Sequence, residues 1–223
     1  MLPKSVIILI FGTIISFASQ TLVIGANSGY MTIYDTQIEG GNEISGSATS
    51  MLISGLIEYD FIDYIGVRLE IGGANAKQSG TVPYNNNWQQ TEATFAYKPY
   101  FCMGIPFHFP VFEWNSGFRK NILSLYGVPS LTSSTFTAQR KLQRWDDSHQ
   151  QYYYNPLGYE SRTADLTAIV GVRCKLVNGL CFWSEFKAWG EHLEVPKDSL
   201  QSVRESEDVT VHTIGIGAGY SFL

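Results

Sequence analysis

Charge is scarce in this chain: Asp, Glu, Lys and Arg together make up 16% of its 223 residues. That excludes long solvated helical faces and disordered acidic or basic tails. No basic run stands out and the net charge is −5, so nucleic acid is excluded as an expected partner. Cysteine is scarce too. Cys102, Cys174 and Cys181 leave at least one thiol unpaired, and their spacing fits no zinc pattern. The sequence assigns no cofactor and no metal ligands. Beyond the N-terminal stretch no apolar run reaches the roughly 20 residues of a membrane helix.

What is present instead is Gly, Ser, Thr and Tyr, with aromatics at 14%, a composition that suits an all-β domain. The opening "MLPKSVIILIFGTIISFASQ" has a positive residue, Lys4, then an apolar stretch from Val6 to Phe17, then Ser16 and Ala18 at the positions a signal peptidase reads. The expectation is a signal peptide over 1–18, cleaved near Ala18, followed by one domain over 19–223.

Downstream, the chain alternates with period two. Ala164, Leu166, Ala168, Val170, Val172, Cys174 and Leu176 share one face, against Thr163, Asp165, Thr167, Gly171, Arg173 and Lys175. Phe182, Ser184, Phe186 and Ala188 likewise oppose Trp183, Glu185, Lys187 and Trp189. Between these segments, a three-residue loop at 177–179 closed by Gly179 at positive φ pairs Leu176 with Leu180 and Val170 with Phe186, keeping the apolar faces together. A plain two-residue turn would mix apolar and charged residues on one face.

Eight such segments are expected: 21–35, 47–59, 64–77, 89–104, 118–132, 161–176, 180–193 and 208–222. Most reach the roughly nine to eleven residues that a tilted strand needs to cross a bilayer. Links at 60–63 and 177–179 are short; those at 36–46, 78–88, 133–160 and 194–207 are long and polar. The link 105–117 breaks this rule, being long and aromatic. It is expected either to lie flat at a membrane interface on Phe107, Phe109, Phe112 and Trp114 or to dock a periplasmic partner.

Alternation does not say which face meets lipid, since a soluble barrel turns its apolar face inward. Here the polar face carries Gly72, Gly215, Gly217, Gly219 and Thr167 rather than Lys and Glu, which favours an enclosed polar face. The apolar faces include Phe95, Tyr97, Phe101 and Met103 in the fourth segment. The final "GIGAGYSFL" resembles the closing strand of bacterial outer-membrane barrels, although Phe222 is penultimate where the family usually ends on the aromatic. Overall the chain resembles the small eight-stranded outer-membrane β-barrels of OmpA and OmpX type. That resemblance implies a closed antiparallel up-and-down transmembrane β-barrel, contact with outer-membrane lipid and lipopolysaccharide, and delivery by the barrel-assembly machinery through the C-terminal strand.

With the apolar faces outward, charge lines the interior. The expected network comprises Glu58, Arg68, Glu70, Lys98, Arg173, Glu185 and Lys187, with Glu92, Asp165, Lys175 and Glu191 beside it. Arg173 is expected opposite Trp183, near enough to Glu185 for a salt bridge; Arg68 is expected diagonal to Glu58; Glu70 can pair with Lys98, the register across their connecting loop being open. Opposite charges in so narrow a barrel pair and plug it, or else line a narrow polar path. His192, His212, Ser199 and Ser202 near one rim show no spacing that sets a nucleophile beside a base, so no catalytic residues are assigned. In the loop 133–160, Arg140, Arg144, Trp145, Tyr152, Tyr153 and Tyr154 combine Arg with aromatics as contact surfaces do, making a candidate site for a host or envelope ligand; the alternative is that its tyrosines merely extend the flanking strands. The expected function is a non-enzymatic structural or surface-interaction barrel. The alternatives are a narrow channel or carrier for a small solute and a soluble lipocalin-type barrel holding an apolar ligand.

Overall fold

The computed structural model describes residues 20–39, 42–62, 64–83, 89–116, 119–194 and 206–222. The expected signal segment lies outside them. The strands are β1 (Thr21–Glu39), β2 (Asn42–Ile62), β3 (Ile65–Pro83), β4 (Gln89–Gly104), β5 (Phe107–Ser116), β6 (Arg119–Asp146), β7 (Gln151–Lys175), β8 (Leu180–Glu194) and β9 (Ser206–Phe222). All pairings are antiparallel, and β9 returns to β1, from Leu22↔Phe222 to Gln37↔Glu207. The sheet therefore closes on itself through the β1–β9 ladder, pairing backbone N–H and C=O groups as a chain in hydrocarbon requires.

Nine strands make eight staves. β4 and β5 lie end to end against β6 in one register, with Gly104↔Ser130 followed by Phe107↔Gly127, and the Ile105 amide bridges the break by donating to the Pro129 carbonyl at 3.2 Å. The aromatic segment 105–117, expected as a link, is thus mostly strand. β5 meets β3 only at Ile65↔Phe107; beyond His108, whose amide donates to the Tyr64 carbonyl at 2.8 Å, it pairs with β6 alone. Alternation simply continues past Gly104, which is why a period-two reading had the signal but not the register.

Of the expected long loops, 36–46 and 133–160 are also largely strand, whereas most of 194–207 lies outside the described residues. The ladder of β6 with β7 runs unbroken to Asp146↔Gln151, turning 133–160 into a tall hairpin closed at 147–150. β7 pairs with β8 only from Thr167↔Trp189 to Lys175↔Cys181, so the upper length of β7 rests on β6. At the other end, the turn after β7 is as expected. Val170 pairs with Phe186, the Leu176 amide donates to the Leu180 carbonyl at 2.8 Å, and Gly179 has φ of 89°, the left-handed conformation that glycine adopts without penalty.

Side-chain orientation decides the solvent. Val170, Phe186, Ile216 and Leu69 are 54, 38, 70 and 41% exposed, whereas Arg68 and Glu185 are each 2% exposed. Leaving one large apolar side chain in water forfeits about 1.5–3 kcal/mol, and dozens line this outer wall. Only hydrocarbon makes such a wall favourable, which removes the soluble lipocalin-type alternative.

One strand departs from the expected faces. The ladders of β4 to β3 and to β6 both slip between Tyr97 and Tyr100, leaving Lys98 and Pro99 in a bulge. Side-chain parity flips there: Phe95 and Tyr97 are buried inside, while Phe101 and Met103 face outward. The expectation that all four share the outer face is corrected accordingly.

Candidate functional site: the charged interior

The core of the barrel has two halves. Toward the long hairpins it is apolar, built from residues such as Met31, Ile33, Leu52, Phe95 and Val211. Beneath them lies an aromatic layer. The Trp189 ring meets Tyr97 edge-on at 6.1 Å and Tyr100 at 5.6 Å between centroids. Toward the short turns the interior is ionic.

The first ionic group is a neutral quartet of two cations and two anions. Arg68 Nη2 lies 3.0 Å from Glu70 Oε2 and 2.8 Å from Glu185 Oε2. Lys187 Nζ lies 2.9 Å from Glu185 Oε1 and also pairs with Glu70. Tyr126 donates its hydroxyl to Glu185 at 2.8 Å, Asn27 donates to the same carboxylate, and Ser54 donates to Glu70. Strands β1, β2, β3, β6 and β8 thereby meet across the lumen. The Lys187 ammonium also sits 5.7 Å from the centre of the Tyr100 ring, joining the quartet to the aromatic layer.

The second group lies nearer the short-turn mouth. Arg173 pairs with Glu58 and lies 3.7 Å from Asp60. His108 Nε2 lies 3.1 Å from Glu58 and 3.5 Å from Asp60. A cavity of about 150 Å³ lined by Asp60, His108, Ser124, Arg173 and Lys175 opens here.

Six of the seven network residues expected from the sequence, Glu58, Arg68, Glu70, Arg173, Glu185 and Lys187, are buried inside. Lys98 is not: the bulge turns it outward and it is exposed, so Glu70 finds Lys187 instead. Arg173 stands opposite Trp183 as expected, but its carboxylate partners are on β2, and its cation–π neighbour is Tyr126, at 5.5 Å. Arg68 is directly paired with Glu58 in the ladder rather than diagonal to it, because the register shifts between Asp60 and Ile62. Glu92 stays at the outer rim, pairing with Lys77 at 3.0 Å and Lys141 at 2.8 Å. The side chain of Glu191 lies outside the described residues.

Asp60, His108, Tyr126 and Asn27 were not anticipated. Asp60 had a signal, being two residues from Glu58 and hence on its face; His108 was hidden by the reading of its segment as a link.

On the glycine-rich face of β9, Gly217 is explained by Trp183, whereas a Cβ at Gly219 would meet the β1 backbone at Ile24 and Gly25. A Cβ at Gly217 would fall inside the Trp183 indole, and one at Gly25 would lie 2.5 Å from it. Glycine here makes room for a large inward ring.

On the tall hairpin, Trp145 faces Tyr152 across the ladder, as Arg144 faces Tyr153. Adjacent pairs point to opposite faces. Trp145 and Tyr152 meet edge-on at 4.9 Å, and Tyr154 lies 6.5 Å from Tyr152 on the same side. All of these are exposed. The stretch that reads as one Arg-aromatic cluster therefore splits into an aromatic face and a face carrying Arg144 and Tyr153. Arg140 pairs in backbone register with Leu157; its side chain lies outside the described residues. Of the rim residues, His212 packs beside Phe186 and Tyr34, with centroids at 5.6 and 5.5 Å, whereas the side chain of His192, and Ser199 and Ser202, lie outside the described residues.

No family model matches the sequence, and no curated protein matches it. Among solved structures, the chain is similar to the outer membrane protein OprG from Pseudomonas aeruginosa, at 16% identity and TM-score 0.54, covering 92% of this chain and 96% of that one. It is also similar to Ail, the attachment invasion locus protein of Yersinia pestis, at 13% identity and TM-score 0.42 over 92% of this chain and all of that one. A third is the outer membrane protein AlkL in lipid bilayers, at 16% identity and TM-score 0.43 over 90% of each chain. At 16% identity the likeness to OprG speaks to fold alone, and it agrees with the outward apolar wall and the closed ring of strands. The chain has the fold of the small outer-membrane proteins: a closed antiparallel eight-stave transmembrane β-barrel.

Proposed function

We propose that this chain is a non-enzymatic barrel of the outer membrane, with a sealed interior and a surface-interaction role carried by its β6–β7 hairpin. The observation behind this reading is the neutral quartet of Arg68, Glu70, Glu185 and Lys187 beneath an apolar layer. Paired charges hold one another in place, and the apolar side chains above them give an ion no hydration along its path. In this reading the short-turn end faces the periplasm, lipid and lipopolysaccharide surround the wall, and β9 is the strand offered to the assembly machinery. The hairpin stands outside, its Trp145–Tyr152–Tyr154 face able to bury aromatic anchors against a host or envelope ligand.

Two measurements test it. Planar-bilayer recordings of the folded protein should be silent; stable ion steps would refute the sealed interior. Deleting 139–155 should abolish adhesion while leaving the barrel heat-modifiable on gels, and unchanged adhesion would remove the hairpin from the role. A second reading, a narrow gated path, draws on the cavity at the mouth that ends at Arg173. It requires steps in the wild-type recording that change in Arg173→Ala.

A further inference from the structure

The mouth group contains more ligand atoms than Arg173 satisfies. His108 Nε2 lies within 3.5 Å of two carboxylate oxygens and 3.4 Å from Arg173 Nη1. One ring nitrogen cannot donate to a carboxylate and accept from a guanidinium at once. Meanwhile Glu58 Oε2 is buried without a hydrogen-bond partner, and Asp60 Oδ1 makes no hydrogen bond, His108 Nε2 standing off at 3.5 Å. Orphaned acceptors of this kind call for an explanation such as an ion.

The geometry supplies one. Glu58, Asp60 and His108 each offer one ligand atom, all within 4.8 Å of one another. Ligands held about 2.0–2.2 Å from one cation stand about 3.0–3.5 Å apart, which is where His108 Nε2 stands from Glu58 Oε1, the oxygen Arg173 also holds, and from Asp60 Oδ1. Two of the three residues come from one strand at i and i+2, and the third comes from β5 across the mouth. The cavity lined by Asp60 and His108 provides the way in. We propose that Glu58, Asp60 and His108 form a binding site for a divalent transition metal at the short-turn mouth of the barrel.

One imidazole nitrogen with two carboxylates suits Zn²⁺, Co²⁺, Mn²⁺ or Fe²⁺. Ca²⁺, which takes six to eight oxygens, is poorly served. Arg173 competes for Glu58, so the ion and the guanidinium divide that carboxylate between them. The site is independent of whether the barrel conducts or adheres.

The test uses the untagged full-length chain folded in detergent micelles, titrated with Zn²⁺ by calorimetry and with Co²⁺ by visible absorption. The expected result is one Zn²⁺ per chain, displacing Co²⁺. His108→Ala and Asp60→Asn should each weaken binding at least tenfold, by about the measure that even outer-shell partners show, with heat-modifiability confirming that both variants fold. Arg173→Gln should tighten it. Wild-type affinity retained in both ligand variants would place the metal on surface histidines and overturn the proposal. So would a wild-type chain that takes up no Zn²⁺ while Arg173→Gln does, since the guanidinium would then be the permanent occupant.

Discussion

Removing Arg68 should unbalance the interior quartet, and the size of the effect follows from the geometry. Its Nη2 contacts two carboxylates at 2.8–3.0 Å and is 2% exposed. At an effective dielectric of about 20, unit charges at such distances attract by roughly 5–6 kcal/mol per pair. Most of that is offset by the cost of taking each ion out of water, several kcal/mol apiece. The intact quartet therefore contributes little net stability, yet breaking it is expensive. Arg68→Met leaves two buried carboxylates facing one ammonium, and should cost about 3–5 kcal/mol, a large share of a total near 5–15 kcal/mol. Glu185→Gln leaves two cations facing Glu70 and should cost a similar amount.

The double variant restores neutrality, with Lys187 and Glu70 remaining as a pair. It should cost well short of the sum, with a coupling of about 2–3 kcal/mol. Urea unfolding in lipid vesicles, read by tryptophan emission and by gel shift, measures all three; Trp183 and Trp189 face the same lumen and report on it. Single variants whose costs add to within about 0.5 kcal/mol, or an Arg68→Met costing under about 1 kcal/mol, would refute the account of a mutually compensated cluster.

Gly217→Leu should destabilise the barrel by about 1–3 kcal/mol through overpacking against Trp183, and pairing it with Trp183→Ala should recover part of that loss in the same unfolding assay. Gly179→Ala should cost about 1 kcal/mol and slow refolding of the turn, because φ of 89° suits glycine and the new Cβ would meet the Tyr220 ring at 2.7 Å. At the hairpin tip, the Asp146 carboxyl is held below its ordinary range by the His149 ring at 2.6 Å and by the Ser148 amide. A depressed carboxylate lends the tip order that is present above the unfolded value of about 3.9 and is lost as pH falls through the lower folded one. A ¹³C titration of Asp146 should show a midpoint below that value, rising toward it in His149→Ala; an unshifted midpoint in both proteins would refute the tip geometry.

The wall of the barrel was legible because lipid imposes one demand on every outward residue. Period two then carries the faces of β7, β8 and β9 almost without error, and the turn at Gly179 follows from keeping those faces aligned. Where a strand breaks parity, the same logic misleads. The bulge at Lys98 and Pro99 moves Phe95 and Tyr97 inside and Lys98 out, and Pro99, a residue that strands admit chiefly at edges and bulges, was its one signal. Partners within the lumen were least legible. Side chains from strands far apart in sequence meet there, so Arg173 finds Glu58 across the mouth rather than Glu185 one strand away. Cross-lumen distances depend on stagger around the whole ring, and stagger accumulates from every bulge and turn.

That dependence also bears on where the ions sit. A buried ion cluster is stable only with partners placed to within a fraction of an ångström, since one misplaced charge costs several kcal/mol. Apolar side chains tolerate slippage better, because their attraction is weak per contact and carries no direction. The ladders shift at both ends, between Asp60 and Ile62 and between Pro110 and Phe112 near the short turns, and between Ser79 and Val82 and between Gln90 and Glu92 toward the tall hairpins. Arg68, Glu58, Arg173 and His108 all occupy the short-turn half, and Met31, Ile33, Phe95 and Val211 the other. The ionic half therefore depends most on the stagger that the short turns and these shifts set together. Lengthening the turn at 177–179 by two glycines should consequently disturb the ionic half first, lowering the coupling between Arg68 and Glu185 while leaving the packing of Phe95 beneath the hairpins unchanged.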